Sequence, residues 1–181
     1  VPGTFMTSAD AVDREAGWLA LPGTTQDGLP SLLTTYGGPW DVVQAYSPRT
    51  PAMRKAQVFV NRTDTHVERF GHIRSIFGYE FMLRLTWPLS NQQGNAESDQ
   101  RAFDAAIHLL CLRIRGVGPN QPGGADKTHG GAFLQVAEGS DVTRTASGIH
   151  VHYEDPETTM SNGIDFRATI SYSADDRDFN D

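Results

Sequence analysis

Residues 79–87 read YEFMLRLTW, and no other stretch restricts the fold as much. Tyr79, Phe81, Leu83, Leu85 and Trp87 alternate with Glu80, Met82, Arg84 and Thr86. Strict alternation over this length puts the apolar set on one side of an extended chain and the other set on the opposite side, which predicts a half-buried β-strand. Such a strand belongs to a sheet with one face on a core and one face toward water or a neighbour. IDFRATISY, further along, repeats the pattern: Ile164, Phe166, Ala168, Ile170 and Tyr172 stand against Asp165, Arg167, Thr169 and Ser171.

The other segments fit around these two. SADAVDREAGWLA (8–20) has Ser8 as an N-cap candidate and Val12, Ala16 and Leu19 at helical spacing, and LPG stops the run. Residues 21–55 are rich in Pro and Gly, and fragments such as PWDVVQAY suggest irregular packing or a short strand. QVFVNR reads as a strand, and THVERF as another, separated from Tyr79 by a loop at GHIRSIFG. The polar run NQQGNAESDQ leads into a second helix, capped by Asn95 or Ser98, with Phe103, Ala106, Ile107, Leu110 and Ile114 on one stripe and Gly116 as its end. Leu109 and Leu112 widen that stripe beyond what one core needs, as peripheral core or as candidate contacts with another subunit. GVGPNQPGGADKTHGG (116–131) reads as a flexible connector. FLQVAE, GIHVHYE and IDFRATISY then give three more strands. The expected fold is α+β, a mostly antiparallel sheet with helices packed on one face, in a single domain over 1–181. Residues 1–25 form its N-terminal helical segment and 173–181 an acidic tail.

The stretch IHVHYEDPE (149–157) raises the question of a metal. On a strand His150, His152 and Glu154 share a side, and H-x-H-x4-E, ending at Glu157, matches the first half of a cupin-type site. A cupin site needs a further ligand, usually a downstream histidine, and no histidine follows His152. Arg167 on the next strand also falls near the histidine face, where a guanidinium repels a divalent ion. The expected reading is therefore a polar sheet surface with no metal and no cofactor, and a cupin-like metal-dependent enzyme using His150, His152 and Glu157 is the alternative. The Gly-rich loop lacks both G-x-x-x-x-G-K-[ST] and G-x-G-x-x-G. No G-x-S-x-G occurs, and Cys111 lies mid-helix on the buried side, so no nucleophile and no enzyme activity are expected.

Bulk properties narrow the class further. Lys and Arg number 15 against 22 Asp and Glu, a net charge of −7. This argues against phosphate-driven nucleic-acid binding, which needs clustered cations. No apolar run reaches the ~18 residues of a membrane span, and VPGTFMTSAD lacks the basic and apolar segments of a secretory signal.

The order of elements resembles the tail terminator (tail completion) proteins of long-tailed bacteriophages. It runs from YEFMLRLTWPL through SDQRAFDAAIHLLCLRIRG and FLQVAE to the hairpin IHVHYEDPETTMSNGIDFRATISYSADD. GGPWDVVQAYSPRTP is similar to the actinobacterial-phage members, and the likeness covers about residues 30–178. It implies a structural virion protein, made in the host bacterial cytoplasm and located at the head–tail junction. It also implies a homohexameric ring that caps the tail tube, ends tail elongation and joins the head connector. The partners it implies are further copies of the chain, the major tail tube protein, the connector or stopper protein, and genomic DNA passing through the lumen without sequence-specific binding. No membrane is among them. The family has no catalytic residue to carry over. Lumen or subunit-interface candidates are the residues of the polar face: Glu80, Arg84, His150, His152, Glu154, Asp165 and Arg167. A neighbouring head-completion or tail-tube protein is a further alternative.

Overall fold

The computed structural model describes residues 7–24, 28–48, 54–69, 74–89, 96–116, 126–137, 148–158 and 163–179. Two helices and a six-stranded, mostly antiparallel, curled sheet form an α+β fold. The elements are α1 (Ser8–Ala20), β1 (Val42–Ala45), β2 (Gln57–Arg69), β3 (Arg74–Pro88), α2 (Ala96–Ile114), β4 (Gln135–Val136), β5 (His150–Thr158) and β6 (Ile164–Phe179). Strand order is β1-β2-β3-β6-β4, and β5 also pairs β6. Only β1 on β2 is parallel.

The two alternating segments become the centre of the sheet. Phe81 stands opposite Tyr172, Leu83 opposite Ile170 and Leu85 opposite Ala168, all buried. Both helices cover this side. The predicted stripe of α2 is buried throughout, and Phe103 stacks on Phe166 with ring centres 6.1 Å apart and meets Trp40 edge-on. Burying side chains of this size contributes roughly 1.5–3 kcal/mol each, which docks the helix. Helix α1 starts at the expected cap, Ser8, because the residue before it, Thr7, is the actual cap. Thr7 accepts from the Asp10 backbone at 3.1 Å while Asp10 accepts from the Thr7 backbone at 2.9 Å, a reciprocal capping box. Ser8 is instead helical, its hydroxyl 3.0 Å from that of Thr65 on β2.

Four expectations about strands change. QVFVNR and THVERF are not two strands but one, β2, carried through the polar TDT by a bulge between Arg62 and Asp64. Most of the expected loop GHIRSIFG is also strand, because Ser75, Ile76 and Phe77 pair with Arg69, Glu68 and Val67. The acidic run after Tyr172 continues β6 to Phe179 opposite Arg74–Glu80, so only its last two residues lie outside the described chain. FLQVAE, conversely, contributes only the two strand residues of β4. The candidate cap Asn95 lies outside the described residues.

Candidate functional site

The register brings the predicted polar face together. On β3, β6 and β5, Arg84 pairs with Thr169 and Thr169 with His152. Ser171 pairs with His150, Arg167 with Glu154, and Asp165 with Glu157. Glu80 stands opposite Ser173. Directly paired residues share a side in an antiparallel ladder, so all seven candidates lie on the face away from the helices. Thr63, Glu80, His150, Ser171 and Ser173 line a half-open cavity of about 180 Å³ on it. Leu109 and Leu112 are half-buried on α2, and so is Cys111, whose thiol burial pushes up.

Arg167 occupies the place expected for it. Its Nη1 donates to Glu157 at 2.7 Å, and its Nε lies 3.6 Å from Glu154. Glu157 is thereby committed to a cation of the protein itself, while His150 and His152 are exposed. Burial, with the Glu157 charge added, pushes the Asp165 carboxyl up despite Arg167.

A different constellation on the same face was not anticipated. Past the bulge, Asp64 faces Glu80 directly across the β2–β3 ladder, and His66 faces Gly78. The carboxylate oxygens of Asp64 and Glu80 and an imidazole nitrogen of His66 lie within 4.8 Å of one another, with His66 Nε2 3.0 Å from Asp64 Oδ2. The D-x-H spacing of TDTH was its only local signal. Glu80 joins through pairing that a bulge had shifted.

The core side of the sheet holds a second unanticipated group. Glu15 of α1 is fully buried, and its carboxylate accepts from the Tyr172 hydroxyl and, at 2.7 Å, from His129 Nδ1. His129 Nε2 lies 2.8 Å from the Ile114 carbonyl. The Ile114 carbonyl needs a proton on Nε2, and a second proton on Nδ1 lets the ring donate to the Glu15 carboxylate. Burial alone would lower the His129 pKa. The Glu15 charge and hydrogen bond and the Ile114 carbonyl outweigh it, and the net shift is upward. Trp18 stacks on the imidazolium at 3.7 Å between ring centres, and the Arg113 guanidinium lies 4.2 Å from the same indole. Arg113 also donates to the Trp18 carbonyl at 2.9 Å, fixing α2 to α1.

A tight turn delivers His129. Asp126 accepts from the Thr128 amide and hydroxyl and from the Gly130 amide. Gly116 adopts φ +66°, and a β-carbon there would meet the Asp126 carbonyl at 2.3 Å, so glycine is needed where α2 ends. The described end of the expected connector, 126–131, is thus anchored in the core.

A scan against protein-family models finds no match to the chain, and a search of curated proteins finds none either.

Proposed function

We propose that this chain is a structural ring subunit of a phage virion, a tail terminator that caps the tail tube and joins it to the head connector. The observation that carries this reading is a pair of open sheet edges, each bearing one large exposed apolar residue. Among the described residues, β1 covers the outer side of β2 only over Gln57–Val60, and β5 pairs only with β6. Val67 is 60% exposed on β2 and Tyr153 53% exposed on β5. Two different edges on opposite sides of one sheet are what a head-to-tail contact requires, and such contacts close into rings when the rotation allows. The net charge of −7 suits a lumen through which DNA slides, because carboxylates repel phosphates. In this reading Glu80, Glu154 and Asp165 face the lumen or a neighbouring subunit, and Leu109 and Leu112 of α2 supply further subunit contact.

Native mass spectrometry of the chain, alone and with tail tubes, tests the reading together with imaging of virions. Six copies at one level at the head–tail junction are expected, and Val67→Lys or Tyr153→Lys should each abolish the ring. A chain that stays monomeric with tubes present overturns the proposal. Many copies along the tube would make it a tube subunit instead.

A further inference from the structure

We propose that Asp64, His66 and Glu80 bind a divalent transition-metal ion, with zinc the best match. All three ligands come from one chain. Two carboxylates and one imidazole are the ligand types zinc takes, and three protein ligands leave room for water. Ligand atoms sharing a tetrahedral ion with bonds of about 2.0–2.2 Å sit roughly 3.3–3.6 Å apart. His66 and Asp64 already stand at 3.0 Å and all three ligand atoms within 4.8 Å, so small rotamer shifts enclose an ion.

Two further observations point to a cation rather than to a solvated acidic surface. Asp64 and Glu80 are directly opposed across the ladder, an arrangement that destabilises a sheet when both are charged. Among the described residues no arginine or lysine pairs with either. One row further, Asp175 stands on the same face, across Gly78 from His66. It is 4% exposed, Gln135 serves its Oδ2 at 2.9 Å, and its Oδ1 has no hydrogen-bond partner among the described residues. A buried carboxylate oxygen without a donor is an unmet demand that a nearby cation would satisfy. Gly78 brings no side chain between Asp175 and the cluster. The three ligands thus lie on a face whose next ladder position holds a buried carboxylate.

Tag-free protein, stripped with chelator, is titrated with Zn²⁺ by calorimetry, with Mn²⁺ and Ca²⁺ in parallel. One Zn²⁺ per chain and a rise in melting temperature are expected. Either His66→Ala or Glu80→Gln should weaken binding by roughly tenfold or more, whereas the double variant of His150 and His152 to alanine should bind as the parent does. Metal-free melting of each variant shows that it folds, and Glu80→Gln should melt no lower than the parent because it removes the opposed charge. Absence of uptake, uptake of Ca²⁺ alone, or undiminished uptake by both the His66→Ala and Glu80→Gln proteins overturns the proposal.

Discussion

The two faces of one sheet carry the same chemistry under opposite conditions. Glu15, His129 and Tyr172 lie on the core side, each buried, with each hydrogen-bonding demand met by a named partner. Asp64, His66 and Glu80 lie on the outer side, half-buried or exposed, with two carboxylates opposed and one imidazole beside them. In the core, desolvation makes an unmatched charge so costly that the network must be complete to exist at all. At the surface, water screens the mismatch, so an incomplete set of ligands survives and is free to take up an ion. Position relative to the sheet, rather than residue type, separates a structural lock from a binding site.

The strongest way to break the comparison is to remove the shared acceptor. Glu15→Ala leaves an imidazolium and a phenol without their partner in the core, and should cost about 3–5 kcal/mol in urea unfolding. A loss below 1 kcal/mol would show that the network is not a lock. Alkaline pH attacks the same group without mutation. His129 is raised above its ordinary 6.5 and Tyr172 well above 10, so the folded protein holds more protons than the unfolded chain and stability falls as pH rises. The His129 contribution is complete below pH 6.5 and is lost as pH climbs through the higher folded value. The Tyr172 contribution begins to fade only above about pH 10. Urea midpoints recorded across this range should decline, and the first stage of the decline should vanish in His129→Gln.

At the outer cluster the same kinds of change should do little or run in reverse. Without metal, Glu80→Gln should stabilise by about 0.2–1 kcal/mol by relieving a cross-strand repulsion. His66→Ala should stay within about 0.5 kcal/mol of the parent. Equal costs on both faces, read from the same denaturation curves, would remove the distinction.

What was legible in the sequence follows the period of the chain. Alternation at Tyr79–Trp87 and Ile164–Tyr172 predicted both central strands and their inward rows, and the stripe from Phe103 to Ile114 predicted the buried face of α2. Arg167 near the histidine face followed from the same alternation, and Glu154 is its ladder partner. Features made by distant partners were not legible. Glu15 and His129 are 114 residues apart, and each looks like an ordinary surface residue: an acid in a helix, a histidine in a glycine-rich loop. Asp64 falls between the two expected strands QVFVNR and THVERF and His66 within the second, because the bulge that joins them into β2 is defined by pairing with Glu80 and Phe81 across the ladder. The acidic stretch after Tyr172 has poor strand composition, and pairing with Arg74–Glu80 overrides it.

The position of β6 bears on how the molecule is made. It is the last element in chain order, yet it joins β3 on one side to β4 and β5 on the other. During synthesis β2 and β3 can form a hairpin early, but β3 must wait with one edge open until α2, the glycine-rich loop and β5 have all emerged. An open edge beside an apolar face is a site for mispairing between nascent chains. Glu80 and Arg84 in the outward row of β3 are charges of the kind that disfavour such mispairing.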